Sequence, residues 1–141
     1  MEEFKLNIFK KNYGFDFPQF NHLSESESML LRKRLCKKYG STDSSLVEDI
    51  CLIQKCLPGI NAEEDFKLIK TLQYLKIQFL NDVFINWYRF DDIDKIALNE
   101  FDKYFYNIWY PAADDIDIFD DSLIWIVSIR HDGYVSYYLS E

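Results

Sequence analysis

The fold is indicated most clearly by the C-terminal stretch Leu123-Ile-Trp-Ile-Val-Ser-Ile-Arg-His-Asp-Gly-Tyr-Val-Ser-Tyr-Tyr-Leu139. β-Branched and aromatic residues dominate both halves of this stretch, and these residue types favour strands. His131-Asp132-Gly133 between the halves is typical of a tight turn, because glycine readily adopts the positive φ that such turns use. The stretch therefore predicts an antiparallel hairpin at the end of the chain.

Two earlier segments alternate in the manner of strands, with side chains pointing to opposite faces at successive positions. Residues 83–88 place Val83, Ile85 and Trp87 on one face, and the pattern predicts a strand. Residues 4–9 alternate in the same way and also predict a strand.

Four segments have the spacing or the end signals of helices. Ser24-Glu25-Ser26-Glu27 is a capping box, and it predicts a helix that runs to about Tyr39 and stops at Gly40. Apolar residues at helical spacing predict three more helices, at 45–57, 62–75 and 93–109. Together these elements predict an α+β fold in a single globular domain, 1–141, with N-terminal helices followed by an antiparallel sheet and the C-terminal hairpin.

Charge is distributed unevenly along the chain. The formal net charge is −8, and residues 61–141 contain sixteen Asp or Glu against seven Lys or Arg. An acidic surface disfavours nucleic acid and anionic membranes as partners, because both need positive charge on the protein. It favours a basic protein surface or a cation, and it speeds association with a basic partner.

Neither the cysteines nor the histidines form a recognisable site. Three cysteines and two histidines are too few, at their spacing, for a structural zinc site. The chain start has no signal-peptide pattern, so we expect a cytoplasmic protein with reduced thiols. We expect no catalytic residues, no metal ligands and no cofactor.

The segment Tyr110-Pro-Ala-Ala-Asp-Asp-Ile-Asp-Ile-Phe-Asp-Asp121 concentrates five carboxylates. It fits a calcium loop poorly, because Asp120 stands where the required glycine belongs and no glutamate closes the loop. Alternation of Asp with Ile and Phe predicts an extended segment with the apolar side chains inward and the acids outward.

The segment Ala113–Asp120 and the hairpin Trp125–Tyr134 make this chain resemble the bacterial immunity proteins that neutralise cognate toxins, including those of contact-dependent growth inhibition. The resemblance implies a stoichiometric inhibitor that occludes the active site of a basic toxin domain, often a nuclease. Charge and aromatic placement then predict the partner-binding residues: Asp91, Asp92, Asp94, Trp109, Tyr110, Asp114, Asp115, Asp117, Asp120 and Asp121.

Two alternatives stay open at this point. The chain could be a general acidic interaction or regulatory module, or it could be a metal-dependent hydrolase that uses the aspartates of residues 91–121. Under the leading hypothesis, reversing the charges of Asp115, Asp117 and Asp120 should weaken partner binding while the fold survives.

Overall fold

The computed structural model describes residues 1–140, and it contains one seven-stranded antiparallel sheet with six helices. The helices are α1 (Glu3–Tyr13), α2 (Glu25–Tyr39), α3 (Leu46–Ile53), α4 (Leu68–Tyr74), α5 (Leu98–Lys103) and α6 (Phe105–Ile108). The strands are β1 (Asn21–His22), β2 (Lys55–Asn61), β3 (Asp82–Tyr88), β4 (Asp92–Ala97), β5 (Ile116–Phe119), β6 (Trp125–Ile129) and β7 (Tyr134–Leu139). They lie in the order β1-β4-β3-β5-β6-β7-β2. The predicted α+β class is confirmed.

Helices cover both faces of the sheet, which gives three layers. Successive strand residues alternate between two apolar cores: Ile118 belongs to the core under α1, α4, α5 and α6, whereas Phe119 belongs to the core under α2 and α3. Strands β5 and β6 are consequently buried along their whole length. Such strands lose the alternation of apolar and polar residues on which a prediction from sequence depends.

The elements with strong local signals lie where the sequence predicts them. The capping box of α2 is complete, since Glu27 donates its backbone N–H to the Ser24 hydroxyl while its own carboxylate accepts the N–H of Ser24. Strands β6 and β7 pair as the predicted hairpin, and Gly133 in its turn has a φ of 87°. Strand β3 is also confirmed.

The strand predicted at residues 4–9 is wrong, because this segment belongs to helix α1. Phe4 and Ile8 are exposed, and the buried residues are Lys5 and Phe9 at helical spacing. A lysine on the buried face concealed the helical pattern.

The helix predicted at residues 93–109 is wrong over its first part. Residues Asp92–Ala97 form β4, and only the shorter helices α5 and α6 follow. Ile93 and Ile96 do not share a helix face, since they pack in the two cores on opposite faces of the sheet. A strand that is buried on both faces can reproduce helical spacing by chance.

Two other helix boundaries differ from the prediction. Helix α3 ends at Ile53, and Pro58-Gly59 lie in β2 at the edge of the sheet, where a proline is tolerated. Helix α4 begins only at Leu68, where the Asp102 carboxylate accepts the free N–H groups of Leu68 and Ile69. None of the helices within residues 1–140 has the length and apolar character that crossing a membrane requires.

Candidate interaction surface

The ten residues predicted to bind a partner do not form one surface. Four of the carboxylates (Asp94, Asp114, Asp117 and Asp120) are buried, as is Trp109. The expectation that these acids point outward is therefore wrong. Because an isolated buried carboxylate is costly, each of the four is held by several donors.

Asp94 and Asp114 attach helix α1 to the rest of the fold. The Asp94 carboxylate contacts the amino group of Met1 and accepts hydrogen bonds from Trp87 Nε1 at 2.9 Å and from His22 Nδ1 at 2.8 Å. Asp114 pairs with Lys5 Nζ at 2.6 Å and also accepts the backbone N–H of Tyr110. Both acids therefore stabilise tertiary structure.

Asp117 belongs to a polar row that crosses the sheet beneath α3. Asn86, Asp117, Ser128 and Ser136 lie opposite one another on β3, β5, β6 and β7. Asn86 Nδ2 donates to Asp117 at 2.9 Å, the Ser128 hydroxyl donates to its other oxygen, and Arg130 Nη2 lies 3.2 Å from that oxygen. The donors of this row explain why the Asp117 carboxylate can be buried at the centre of the sheet.

Asp120 and Trp109 are equally structural. Asp120 accepts hydrogen bonds from the backbone N–H groups of Leu80 and Ser122 and from Trp125 Nε1. Trp109 stacks on Phe105 at 5.5 Å and donates to the carbonyl of Asp114. Reversing the charges at Asp117 and Asp120 would thus disrupt the interior, which contradicts our expectation that the fold survives that change.

Of the other predicted acids, Asp91, Asp115 and Asp121 are exposed and Asp92 is half-exposed, and three of the four lie at one end of the sheet. Asp91 lies in the β3–β4 turn, Asp92 begins β4, and Asp115 precedes β5. Asp121 lies elsewhere, paired with Arg34 of α2 at 2.7 Å. Tyr110 is partly buried beside Lys5 and Asp114, where its burial and the Asp114 charge raise the pKa of its hydroxyl.

We call this end of the sheet the hairpin end; it comprises residues 88–92, 110–115 and 130–134. The backbone N–H of Ala112 donates to the carbonyl of His131 at 2.7 Å, and the N–H of His131 donates to Asp115, so the second and third segments contact each other. The first segment lines a groove together with Asp115 and Arg130. The hairpin end also contains a further exposed acid, Asp132, and two exposed tyrosines. Tyr88 is 66% exposed and Tyr134 is 48% exposed. Their position beside turns was the sequence signal that could have identified them.

A groove of about 330 Å³ opens at the hairpin end between α3 and the β3–β4 turn. Arg89, Arg130, Asp115 and Asp117 contribute its charged groups. A larger groove of about 830 Å³ lies beside α2, and there Arg32 pairs with both Asp43 and Asp91. Within residues 1–140 no group of three or more His, Cys, Asp or Glu side chains is arranged to hold a metal ion.

His131 pairs with Asp115 across the hairpin end, its Nδ1 atom lying 2.9 Å from Asp115 Oδ1. The hydrogen bond to this carboxylate, together with its negative charge, raises the pKa of His131. Partial burial opposes ionisation of Asp115, but hydrogen bonds from His131 and the positive charge of Arg130 outweigh it and lower the pKa of that carboxyl. Both shifts favour the charged pair.

Replacing Asp115 with Asn should lower the pKa of His131 toward its ordinary value. Because the folded-state pKa of His131 is raised, its contribution to stability is present at low pH and is lost as the pH rises through that pKa. An NMR titration of the imidazole carbon-bound protons measures this shift, with Asp92→Asn as the control that leaves His131 unchanged. An unaltered His131 titration in Asp115→Asn would contradict the pairing.

No protein-family model, curated protein or solved structure matches this chain.

Proposed function

We propose that this protein is an immunity-type inhibitor that acts in the bacterial cytoplasm by binding a basic toxin domain and covering its active site. One observation carries the proposal: exposed acids and exposed tyrosines occur together at the hairpin end. Asp91, Asp92, Asp115 and Asp132 lie in the same three segments of the chain as Tyr88 and Tyr134. Tyrosines are common anchors in protein interfaces, and acids accelerate the encounter with a basic surface.

The burial of the other acids sharpens this proposal. Asp94, Asp114, Asp117 and Asp120 are held by internal donors, so the charge available to a partner comes from fewer residues than the sequence suggests. The hairpin end is also built from turns joined to a sheet that is packed on both faces. A rigid support reduces the conformational entropy that binding would otherwise cost.

Neutralising Asp91, Asp92, Asp115 and Asp132 together to Asn should weaken toxin binding on the order of 10- to 100-fold, because each exposed ion pair contributes about 0.2–1 kcal/mol. The salt dependence of association should fall as well. The proposal predicts a toxin domain encoded beside the gene, and calorimetry against that domain measures the binding. The matched control neutralises four exposed acids outside the hairpin end, Glu3, Glu25, Glu48 and Asp82.

Growth rescue separates this proposal from a general acidic interaction module. Co-expression of the wild-type protein should protect cells from the toxin, and the four-acid variant of the hairpin end should protect them less. Wild-type protein that binds a basic protein but rescues no toxin-exposed cells would favour the general module. Equal binding by both four-acid variants would remove the hairpin end from the interface.

A further inference from the structure

The β3–β4 turn holds two ordinary residues in a backbone conformation that normally belongs to glycine. Arg89 and Phe90 have φ values of 50° and 58°, and the N–H of Asp91 closes the turn on the carbonyl of Tyr88 at 2.9 Å. Tight β-turns with positive φ at both central positions usually contain Asn-Gly. Side chains at these positions strain the backbone, and such strain is concentrated at functional sites.

Packing accounts for only one of the two strained residues. The Phe90 ring is buried and lies 6.0 Å from the Phe119 ring, and its N–H donates to Asn86 Oδ1 at 2.7 Å. Arg89 is exposed, and within residues 1–140 its side chain has no hydrogen bond or salt bridge. The turn is held by the hydrogen bonds of its neighbours and by the burial of Phe90, and the Arg89 side chain adds no contact of its own among the described residues.

A second arginine, Arg130, lines the same 330 Å³ groove as Arg89 and has hydrogen-bond donors without a partner among the described residues. Arg130 uses Nη2 for its contacts with Asp117 and Cys51, and in the described residues its Nε and Nη1 atoms make no hydrogen bond. Val47 and Ile50 supply apolar lining nearby. Unpaired guanidinium donors in a groove of this kind suit the planar oxygens of a carboxylate.

We propose that Arg89 and Arg130 bind a carboxylate side chain carried by the protein partner, which the groove admits between α3 and the β3–β4 turn. This inference rests on the proposed function and assigns one specific contact to it. A carboxylate on a basic protein fits better than a free anion, because the net charge of −8 and the carboxylates of Asp115 and Asp117 in the same groove repel a free anion. A basic partner is attracted by the same charges.

Two lysine-rich heptapeptides that differ only at the central residue, glutamate or glutamine, test this contact by calorimetry at low salt. The glutamine peptide carries more positive charge, so a merely acidic surface would bind it more tightly. We expect the opposite order, with the glutamate peptide bound about three- to tenfold more tightly. The affinity of glutarate, a free dicarboxylate, is measured in the same way and shows whether the groove binds a small anion without a peptide.

The preference for the glutamate peptide should disappear in Arg89→Asn. It should persist in Arg34→Asn, which replaces an exposed arginine on α2. Arg89→Asn should unfold at the same temperature as the wild type or a higher one, because asparagine tolerates positive φ better. Lost preference in a stable variant therefore reports on the side chain and not on the fold.

Several results would overturn this inference. The first is tighter binding of the glutamine peptide, and the second is no saturable binding of either peptide. The third is a preference for the glutamate peptide that survives in Arg89→Asn. The fourth is glutarate binding as tight as that of the glutamate peptide, which would indicate a small-molecule site. Equal binding of the two peptides would remove the carboxylate contact and leave the proposed function to be judged by growth rescue.

Discussion

Replacing Lys5 with Ala should destabilise the protein by about 3–5 kcal/mol, since breaking a buried ion pair leaves an uncompensated charge. Lys5 is 1% exposed, and its Nζ atom lies 2.6 Å from Asp114 and 2.8 Å from the carbonyl of Ile108. The ammonium group also lies 4.3 Å from the centre of the Trp87 ring. Urea denaturation followed by circular dichroism measures the loss, which is a large fraction of the stability of a typical domain.

Two further variants separate charge from packing. Lys5→Met keeps most of the apolar stem, so its cost reports mainly on the lost charge and hydrogen bonds. Lys5→Met combined with Asp114→Asn should cost less than the sum of the two single changes, since the double variant leaves no unpaired charge.

The matched control for Lys5 is Lys10→Ala in the same helix. Lys10 pairs with Asp16 at 3.1 Å, and both side chains are mostly exposed, so its loss should change stability by less than about 0.5 kcal/mol. A cost below about 1 kcal/mol for Lys5→Ala would show that the buried pair contributes little to the free energy of unfolding.

Asp120→Ala should be the second strongly destabilising change, at about 3–4 kcal/mol. The carboxylate is fully buried, and its removal leaves the N–H groups of Leu80 and Ser122 and the indole N–H of Trp125 without their acceptor. The buried indole N–H, left unpaired, costs about 1–3 kcal/mol, and the half-buried N–H groups of Leu80 and Ser122 add less each. Asp120→Asn should reduce the stability less, because the amide oxygen of asparagine can still accept a hydrogen bond from some of these donors.

Asp121 provides the control for Asp120, since it is the next residue and has the same chemistry. Its side chain is exposed and pairs with Arg34, so Asp121→Ala should change stability by less than about 0.5 kcal/mol. Thermal unfolding of the two variants, compared side by side, tests the assignment. Equal unfolding temperatures would mean that the internal hydrogen bonds of Asp120 contribute nothing beyond an ordinary surface ion pair.

The candidate site was predictable only in part. The sequence identified Asp91, Asp92 and Asp115, because a dense series of acids is visible without a structure. It did not identify Tyr88, Arg89 or Tyr134, since their role depends on which turns meet at one end of the sheet. It also assigned to the surface four acids that lie inside, because composition does not show which carboxylates have internal donors.

By itself, the sequence determined the features that depend on neighbouring residues. The capping box at Ser24 and Glu27 and the turn at Gly133 act within a few positions of the chain, so the residue types are sufficient to predict helix α2 and the C-terminal hairpin.

Only the tertiary structure decided which charged residues are buried. Lys5 is separated from Asp114 by 109 positions, and Asp120 receives the N–H of Leu80 from 40 positions away. The same is true of β4, whose residues alternate between two cores that exist only after helices cover both faces of the sheet. The free energy of burying a charge depends on partners that folding brings together, and no local pattern contains them.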